Sequence, residues 1–406
     1  MLTINEKLSR LKVRLKNHEP IRILIVGLGS VGNYLLDYLV SLSDPQLEII
    51  VAGRNRERMQ KDVNIVRTAA TIRRQLKSRI SIETVDLNDV DSITAMLRRT
   101  DPHFLVNSSR VYAGLKYGSI SWHTLRAYGV WTPLSVQFAA NIIKACIDAE
   151  CNAVTINTSY SDAVIPWIKS ALGYTFDFGS GNLNHLIPRM KFYIAENFGI
   201  TDLEDIDITL ATSHFHDVVI SKEGHSEGEK MAVAVRYDNK PLYVDVDEML
   251  RHCSIPMPVD QKRNMMNASS NFDIIHSTLR ALREEISLRV HTPGVDGETG
   301  GYPCLIDGKN AAATIDTSTF TLEEMREANR RSIYHDGILG ISGGELHYTP
   351  ELLAKVKENF GCELPADIPL NRSHEAAHIL IDKIINPSLS KQKKTSPNRA
   401  QSFPGR

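Results

Sequence analysis

The stretch IRILIVGLGSVGNYLLDYLVSL, residues 21–42, constrains this chain more than any other. An unbroken apolar run of this length is a strand buried on both faces, and leucines at helical spacing follow it directly. Between them lies Gly27-Leu28-Gly29-Ser30-Val31-Gly32. A GxGxxG alone is a weak signal, but between a strand and a helix it gains a physical reason. Gly27 permits the tight turn, Gly29 lets a pyrophosphate approach the backbone, and Gly32 lets helix and strand pack closely. The helix that starts here presents unpaired N–H groups and a positive dipole end to the phosphates. The simplest architecture containing such a unit is a Rossmann-type dinucleotide domain.

The following segments continue the pattern. LEIIVAGRNRERM, RISIETVDL, HFLVNSS and NAVTINTS read as strands, with DVDSITAMLRR and PLSVQFAANIIKACIDA as helices between the later ones. Alternation of this kind predicts an α/β fold with a doubly wound parallel sheet. Ligands bind beyond the C-termini of such strands. That row contains Gly53, Arg54, Asn55 and Arg56 after the second strand, and Asp86 and Leu87 after the third. It continues with Asn107, Ser108 and Ser109, then Asn157. Where an NAD site places an acidic residue against the ribose hydroxyls, this chain has Gly53-Arg54-Asn55-Arg56. Arginines there suit a 2′-phosphate, so the expected cofactor is NADP(H), with NAD the alternative.

At 406 residues two domains are expected: 20–165 for the dinucleotide and 166–385, α+β, for substrate and dimerisation. The start, residues 1–19, reads as an amphipathic helix that docks on the domain or lies on a membrane surface. The basic end, residues 386–406, reads as a disordered tail. A formal net charge of −1 gives no pull towards nucleic acid, and no apolar run is long enough for a membrane span. Cys146, Cys151, Cys253, Cys304 and Cys362 match no zinc spacing and read as reduced thiols of a cytoplasmic protein. The glycine-rich VHTPGVDGETGGYPCLIDG reads either as a flexible lid or as an exposed crossover.

Residues 23–109, through VGLGSVG, VAGRNRERM, VDLNDVDSITAML and FLVNSS, resemble the NADP-binding domain of saccharopine-dehydrogenase-like oxidoreductases. The next stretch resembles a second group, the lactate and malate dehydrogenases. NIIKACIDAECNAVTINTSYSDAV is similar to their helix, strand and Asn-Pro-x-Asp turn. FDFGSGNLNHLIPRMKFYIAENFGI is similar to their glycine turn and the helix that carries the substrate-binding arginine. The resemblance implies that Arg189 pairs with a substrate carboxylate. It also implies a catalytic histidine about two dozen residues later, and His214 and His216 follow Arg189 by 25 and 27. The chain departs from the pattern where the substrate is read. Asn-Pro-x-Asp becomes Ser159-Tyr160-Ser161-Asp162, and the aspartate that orients the histidine has no counterpart near Asn184, His185 and Leu186.

Hydride transfer needs a fixed cofactor, a cation for the substrate carboxylate and a proton donor. Histidine suits the last role because its pKa lies near working pH. His214 is the first candidate by spacing and His216 the second, with His185, Asp217 or Asp162 as the orienting group. His-x-His on an extended strand would also put two rings on one face for a metal. The expected reaction is hydride exchange between NADP(H) and a carboxylate-bearing small molecule, either a 2-keto/2-hydroxy acid or an opine- or saccharopine-type imine. A homodimer is expected as the assembly. Two other classes stay open: a metal- and NAD-dependent glycosidase-like hydrolase or lyase, and a non-catalytic dinucleotide sensor.

Overall fold

The strand Ile21–Val26 (β1) alternates its burial between two cores. Ile21, Ile23 and Ile25 join one hydrophobic cluster, while Leu24 and Val26 join another on the opposite face. A strand covered on both sides has no polar face to present, and this explains the apolar run. The structure, a computed structural model, describes residues 1–112, 117–181, 183–258 and 260–395.

Around β1 stand Leu47–Gly53 (β2), Arg79–Thr84 (β3), Phe104–Asn107 (β4), Val154–Asn157 (β5) and Phe178–Gly179 (β6). All pair in parallel, in the order β3-β2-β1-β4-β5-β6. The crossover helices are Ser30–Ser41 (α2), Arg56–Ile72 (α3), Val90–Thr100 (α4), Thr132–Asp148 (α5) and Ser161–Leu172 (α6). Ile4–Lys16 (α1) precedes them, opened by a Thr3–Glu6 capping box. Its Leu8, Leu11 and Leu15 are buried in the same core as β1, so its apolar stripe is spent on the protein itself. Lys7 on that helix is also buried: its Nζ lies 2.7 Å from Asp177, which in turn accepts from the Thr155 backbone N–H.

Beyond the parallel sheet the chain builds Leu183–Phe198 (α7), then strand Ile206–Ala211 (β7) and helix His214–Glu223 (α8). β7 pairs antiparallel with Ala232–Tyr237 (β8), which pairs with Lys240–Pro241 (β9). Val246–His252 (α9) and the long Asn264–Glu284 (α10) lead to Ser287–Pro293 (β10), Gly301–Asp307 (β11) and Ala312–Ile315 (β12), a second antiparallel sheet. Leu322–His335 (α11) precedes a third, made of Ile338–Ser342 (β13), Glu345–Tyr348 (β14) and Asp367–Pro369 (β15). The second half is therefore α+β.

Its last part packs back on the parallel sheet. Ile338, Leu346, Ile368 and Leu380 share one core with Leu24, Val26 and Leu105 of the parallel sheet. The dinucleotide half is thus closed by residues more than 300 positions downstream of the phosphate loop.

The glycine-rich segment is neither lid nor crossover. It is a tight connection between β10 and β11, with Val295 buried and Gly300 N–H donating to the Asp162 carbonyl. A Cβ at Gly300 would stand 2.0 Å from Asn329 Oδ1, so glycine serves close packing here. Of the terminal segment, Asn386–Thr395 is helical rather than tail, and residues 396–406 lie outside the described residues. All five cysteines are buried and free. Among the described residues no helix is long and apolar enough to cross a membrane.

Candidate functional site

The glycine turn has the shape its sequence requires. Gly27 sits at φ +92°, and a Cβ there would meet Ser109 at 3.0 Å. A Cβ on Gly32 would lie 2.3 Å from the Gly27 carbonyl oxygen, whereas one on Gly29 would meet nothing within 4 Å. Closure at the first and third glycines and open space at the second are what a pyrophosphate approaching the α2 N-terminus needs. Ser30 begins that helix and accepts from Asn264 Nδ2 at 2.5 Å, while Val31 packs partly against the core.

At the end of β2, Gly53 leads to Arg54 and Arg56, both exposed and lining a shallow surface concavity with Asn55. Asn55 caps α3, its Oδ1 accepting the Arg58 N–H, and Arg56 donates to the Ile82 carbonyl. Asp86, whose pKa is lowered by the backbone and side-chain donors of Asn88 and by the charge of Arg54, is exposed, and Leu87 is buried.

Asn107 and Asn157 are fully buried and donate and accept between themselves at 2.9 Å. Asn107 Oδ1 also accepts from Ser109, and Ser108 Oγ donates to the Gly27 carbonyl at 2.6 Å. Among themselves these expected ligand contacts brace the strand ends, and Ser108 holds β4 against the phosphate turn.

Past β5 the chain enters the region of His214. Tyr160 holds φ +47° at the start of α6, a left-handed backbone that costs a non-glycine residue on the order of 1 kcal/mol. Its hydroxyl donates to Asp336 Oδ2 at 2.5 Å. His214 Nδ1 meets the same oxygen at 2.9 Å, and the Tyr128 N–H donates to Oδ1 at 2.6 Å. Three donors leave this fully buried carboxylate one orientation.

The His214 ring is gripped edge-on by Tyr128 and Tyr160, with centroids 4.8 and 5.0 Å away. Its side chain stays 11% exposed. As the first residue of α8 its backbone N–H donates to Asp162 Oδ1. Burial pulls the imidazole pKa down, but Asp336, through charge and hydrogen bond, and then Asp162 and Asp217 overcome it, so the net shift is upward. Asp162 and Asp217 go the other way from ordinary carboxylates: burial pushes them up to about 6 and about 7, against the opposing charge of His214.

Three expectations are corrected. His216 is not beside His214 in the pocket. The pair lies on a helix rather than a strand, and His216 Nε2 bonds the Ser226 carbonyl among the rings of Phe215 and His335. Burial lowers its pKa to about 4, and the shared-face metal geometry is absent. His185 does not orient His214; its Nδ1 lies 3.9 Å from Asp217. Arg189 is buried rather than open to the site, with one amino group on the Cys253 carbonyl at 2.6 Å, the other on the Met257 sulfur at 3.2 Å, and its Nε without a partner among the described residues.

The residue that sequence reasoning missed is Asp336. It sits in His335-Asp336-Gly337, between helix and strand, where Asp-Gly reads as turn punctuation. Its partners lie at least 122 positions away.

The segments around His185 and His214 also hold buried polar atoms that have no partner among the described residues: Ser159 Oγ, Asn184 Nδ2, His185 Nε2, Arg189 Nε, Ser213 Oγ, His216 Nδ1 and Asp217 Oδ1. Such atoms are costly unless a ligand or water satisfies them. The only described cluster with metal-ligand spacing is elsewhere and exposed, Glu223, His225 and Glu227, and Arg126 already pairs with both glutamates.

Comparison with known proteins agrees with this architecture. Residues 23–116 match the saccharopine dehydrogenase NADP binding domain. No curated protein sequence matches the chain. Among solved structures, Cryptosporidium parvum malate dehydrogenase superposes with a TM-score of 0.53 at 13% identity, covering 78% of this chain and 97% of that one. Lactate dehydrogenase from the same organism, solved with lactic acid and nicotinamide adenine dinucleotide, gives 0.51 at 14% identity, covering 78% and 96%. Malate dehydrogenase from Aeropyrum pernix gives 0.50 at 14%, covering 77% and 97%. At these identities the likeness is one of fold.

Proposed function

We propose that the chain is a nicotinamide-dinucleotide-dependent dehydrogenase or reductase that prefers NADP(H) and acts on a carbonyl or imine of a carboxylate-bearing small molecule. The observation that carries this reading is the His214–Asp336 pair at 2.9 Å, standing beyond the C-terminal ends of a sheet whose first turn is open only at Gly29. The matched NADP-binding domain over residues 23–116 supports the cofactor class. Arg54 and Arg56, free of any acidic neighbour on the β2 turn until Glu57, support the 2′-phosphate.

Bound there, the dinucleotide supplies or accepts the hydride. The protein's own part is proton handling. In the reducing direction His214, protonated and held by Asp336, delivers a proton to the oxygen or nitrogen that gains charge; in the oxidising direction it takes that proton back. Asp336 keeps Nδ1 occupied, so Nε2 faces the substrate. Tyr160 and Tyr128 hold Asp336 and exclude water from it.

The test follows NADPH absorbance over a panel of 2-keto acids, each with and without an amino acid. Oxidation by the wild type and its loss in His214→Gln, by about a hundredfold or more, is the expected result. Oxidation only with an amine present selects the imine substrate. No turnover across the panel, with NADPH still bound, would instead favour a sensor. In the same assay Arg54→Asp is expected to weaken NADPH far more than NADH, and equal losses would remove the 2′-phosphate role.

A further inference from the structure

The third antiparallel sheet carries three side chains that the dinucleotide chemistry does not use. Ser342 ends β13, His347 lies on β14 and Asp367 starts β15, so they stand in order across neighbouring strands. His347 Nδ1 lies 2.6 Å from Asp367 Oδ1, and its Nε2 lies 3.0 Å from Ser342 Oγ. An ionised carboxylate only accepts, so in the neutral ring Nδ1 carries the hydrogen and Nε2 a lone pair. Ser342 is then the donor, its proton aimed at a base. This chain of contacts activates a serine hydroxyl for attack on an acyl carbon.

The backbone fixes the arrangement. His347 pairs directly with Asp367 on one side and Gly340 on the other, and Ser342 follows Gly340 by two, on the same face of β13. Toward the opposite face Leu346 and Ile368 are buried in the core shared with the parallel sheet, and Ile341 packs against it. The turn after the serine, Gly343-Gly344, is left-handed at both positions and tied to α6. Gly344 N–H donates to Ser170 Oγ at 2.9 Å, and Trp167 Nε1 donates to the Gly344 carbonyl at 3.0 Å. The Gly343 N–H meets no acceptor among the described residues. A backbone N–H directly after the nucleophile suits an acyl oxygen that gains charge. Gly340 also lines a groove of about 980 Å³ with Tyr334, Leu339 and Ile341, an apolar wall for a short acyl chain. The site is open to water, with the Asp367 side chain 60% exposed. A carboxylate in high dielectric orients its histidine weakly, which restricts the chemistry to esters with good leaving groups.

We propose that Ser342 and His347, with Asp367 as positioning residue, hydrolyse small activated carboxylic esters, a second activity independent of the dinucleotide. Ser342 Oγ bonds the acyl carbon as its proton passes to His347 Nε2. The bond to the leaving alcohol breaks, and the alcohol takes that proton. Water then attacks the acyl-serine, gives a proton to Nε2, and the carboxylic acid leaves as Ser342 recovers its hydrogen.

The test uses the full chain without dinucleotide, 4-nitrophenyl butyrate as substrate and an alkyl fluorophosphonate as label, located by peptide mass spectrometry. Hydrolysis by the wild type and label on Ser342 are expected. Ser342→Ala should lose the label and about tenfold or more of kcat/KM, with its melting temperature and NADPH affinity unchanged. Asp367→Asn should lower kcat about tenfold at constant KM, and Asp367→Glu should recover part of it. Exposed histidines also cleave activated esters, so hydrolysis undiminished in Ser342→Ala overturns the proposal. Label on another residue, or neither hydrolysis nor label in the wild type, overturns it equally.

Discussion

Asp336 decides how His214 behaves, because it is the first charge that offsets the cost of burying the imidazole. Replacing it by Asn keeps the shape and removes the charge. Asp336→Asn is expected to lower kcat by about 10²- to 10⁴-fold. The apparent pKa of the reductive limb should move down, since the wild-type pKa is raised by the carboxylate and this support is lost. A pH–rate profile measures both, and a profile unchanged in position would mean that Asp336 does not face the working imidazole. His214 was legible in the sequence because it follows an apolar strand at a recognisable distance from Arg189. Asp336 was not, since no local pattern links residues 122 positions apart. What Arg189 touches was not legible for a related reason: spacing places a side chain on a helix but says nothing about the Cys253 carbonyl that one of its amino groups meets.

At the scale of elements, the first helix is held by a buried ion pair as well as by its leucines. Lys7 is sealed against Asp177 and Tyr174, and their charges raise its pKa above the ordinary value despite burial. Lys7→Met leaves Asp177 buried with one partner fewer, and breaking such a pair costs about 3–5 kcal/mol. Denaturant unfolding should show that loss, and a change under about 1 kcal/mol would mean that water reaches the carboxylate. The helix was legible through its periodicity, and the parallel strands through their unbroken apolar runs. The three small antiparallel sheets were not, because strands such as ELHY and AATI are too short to establish a period. The β10–β11 connection misled for a different cause. Its glycines mark backbone packed against Ile165 and Asn329, where glycine content alone suggests freedom of movement.

For the whole molecule, the buried carboxylates tie stability to pH. Asp162 and Asp217 have folded-state pKa values of about 6 and about 7, above those of the unfolded chain. Their neutral forms stabilise the fold at low pH, and that contribution is lost as pH rises through those values. Asp217→Asn stays neutral throughout, so its melting temperature relative to the wild type should climb between about pH 4.5 and 7.5. A constant difference across that range would place Asp217 in contact with solvent. The same long-range closure has a consequence in time. Synthesis delivers the phosphate turn about 300 residues before Asp336 and the strands behind it. On the proposed function, a nascent or truncated polypeptide lacks the carboxylate that readies its proton donor. On that reading chain order keeps the chemistry silent until Asp336 and its strands have been made.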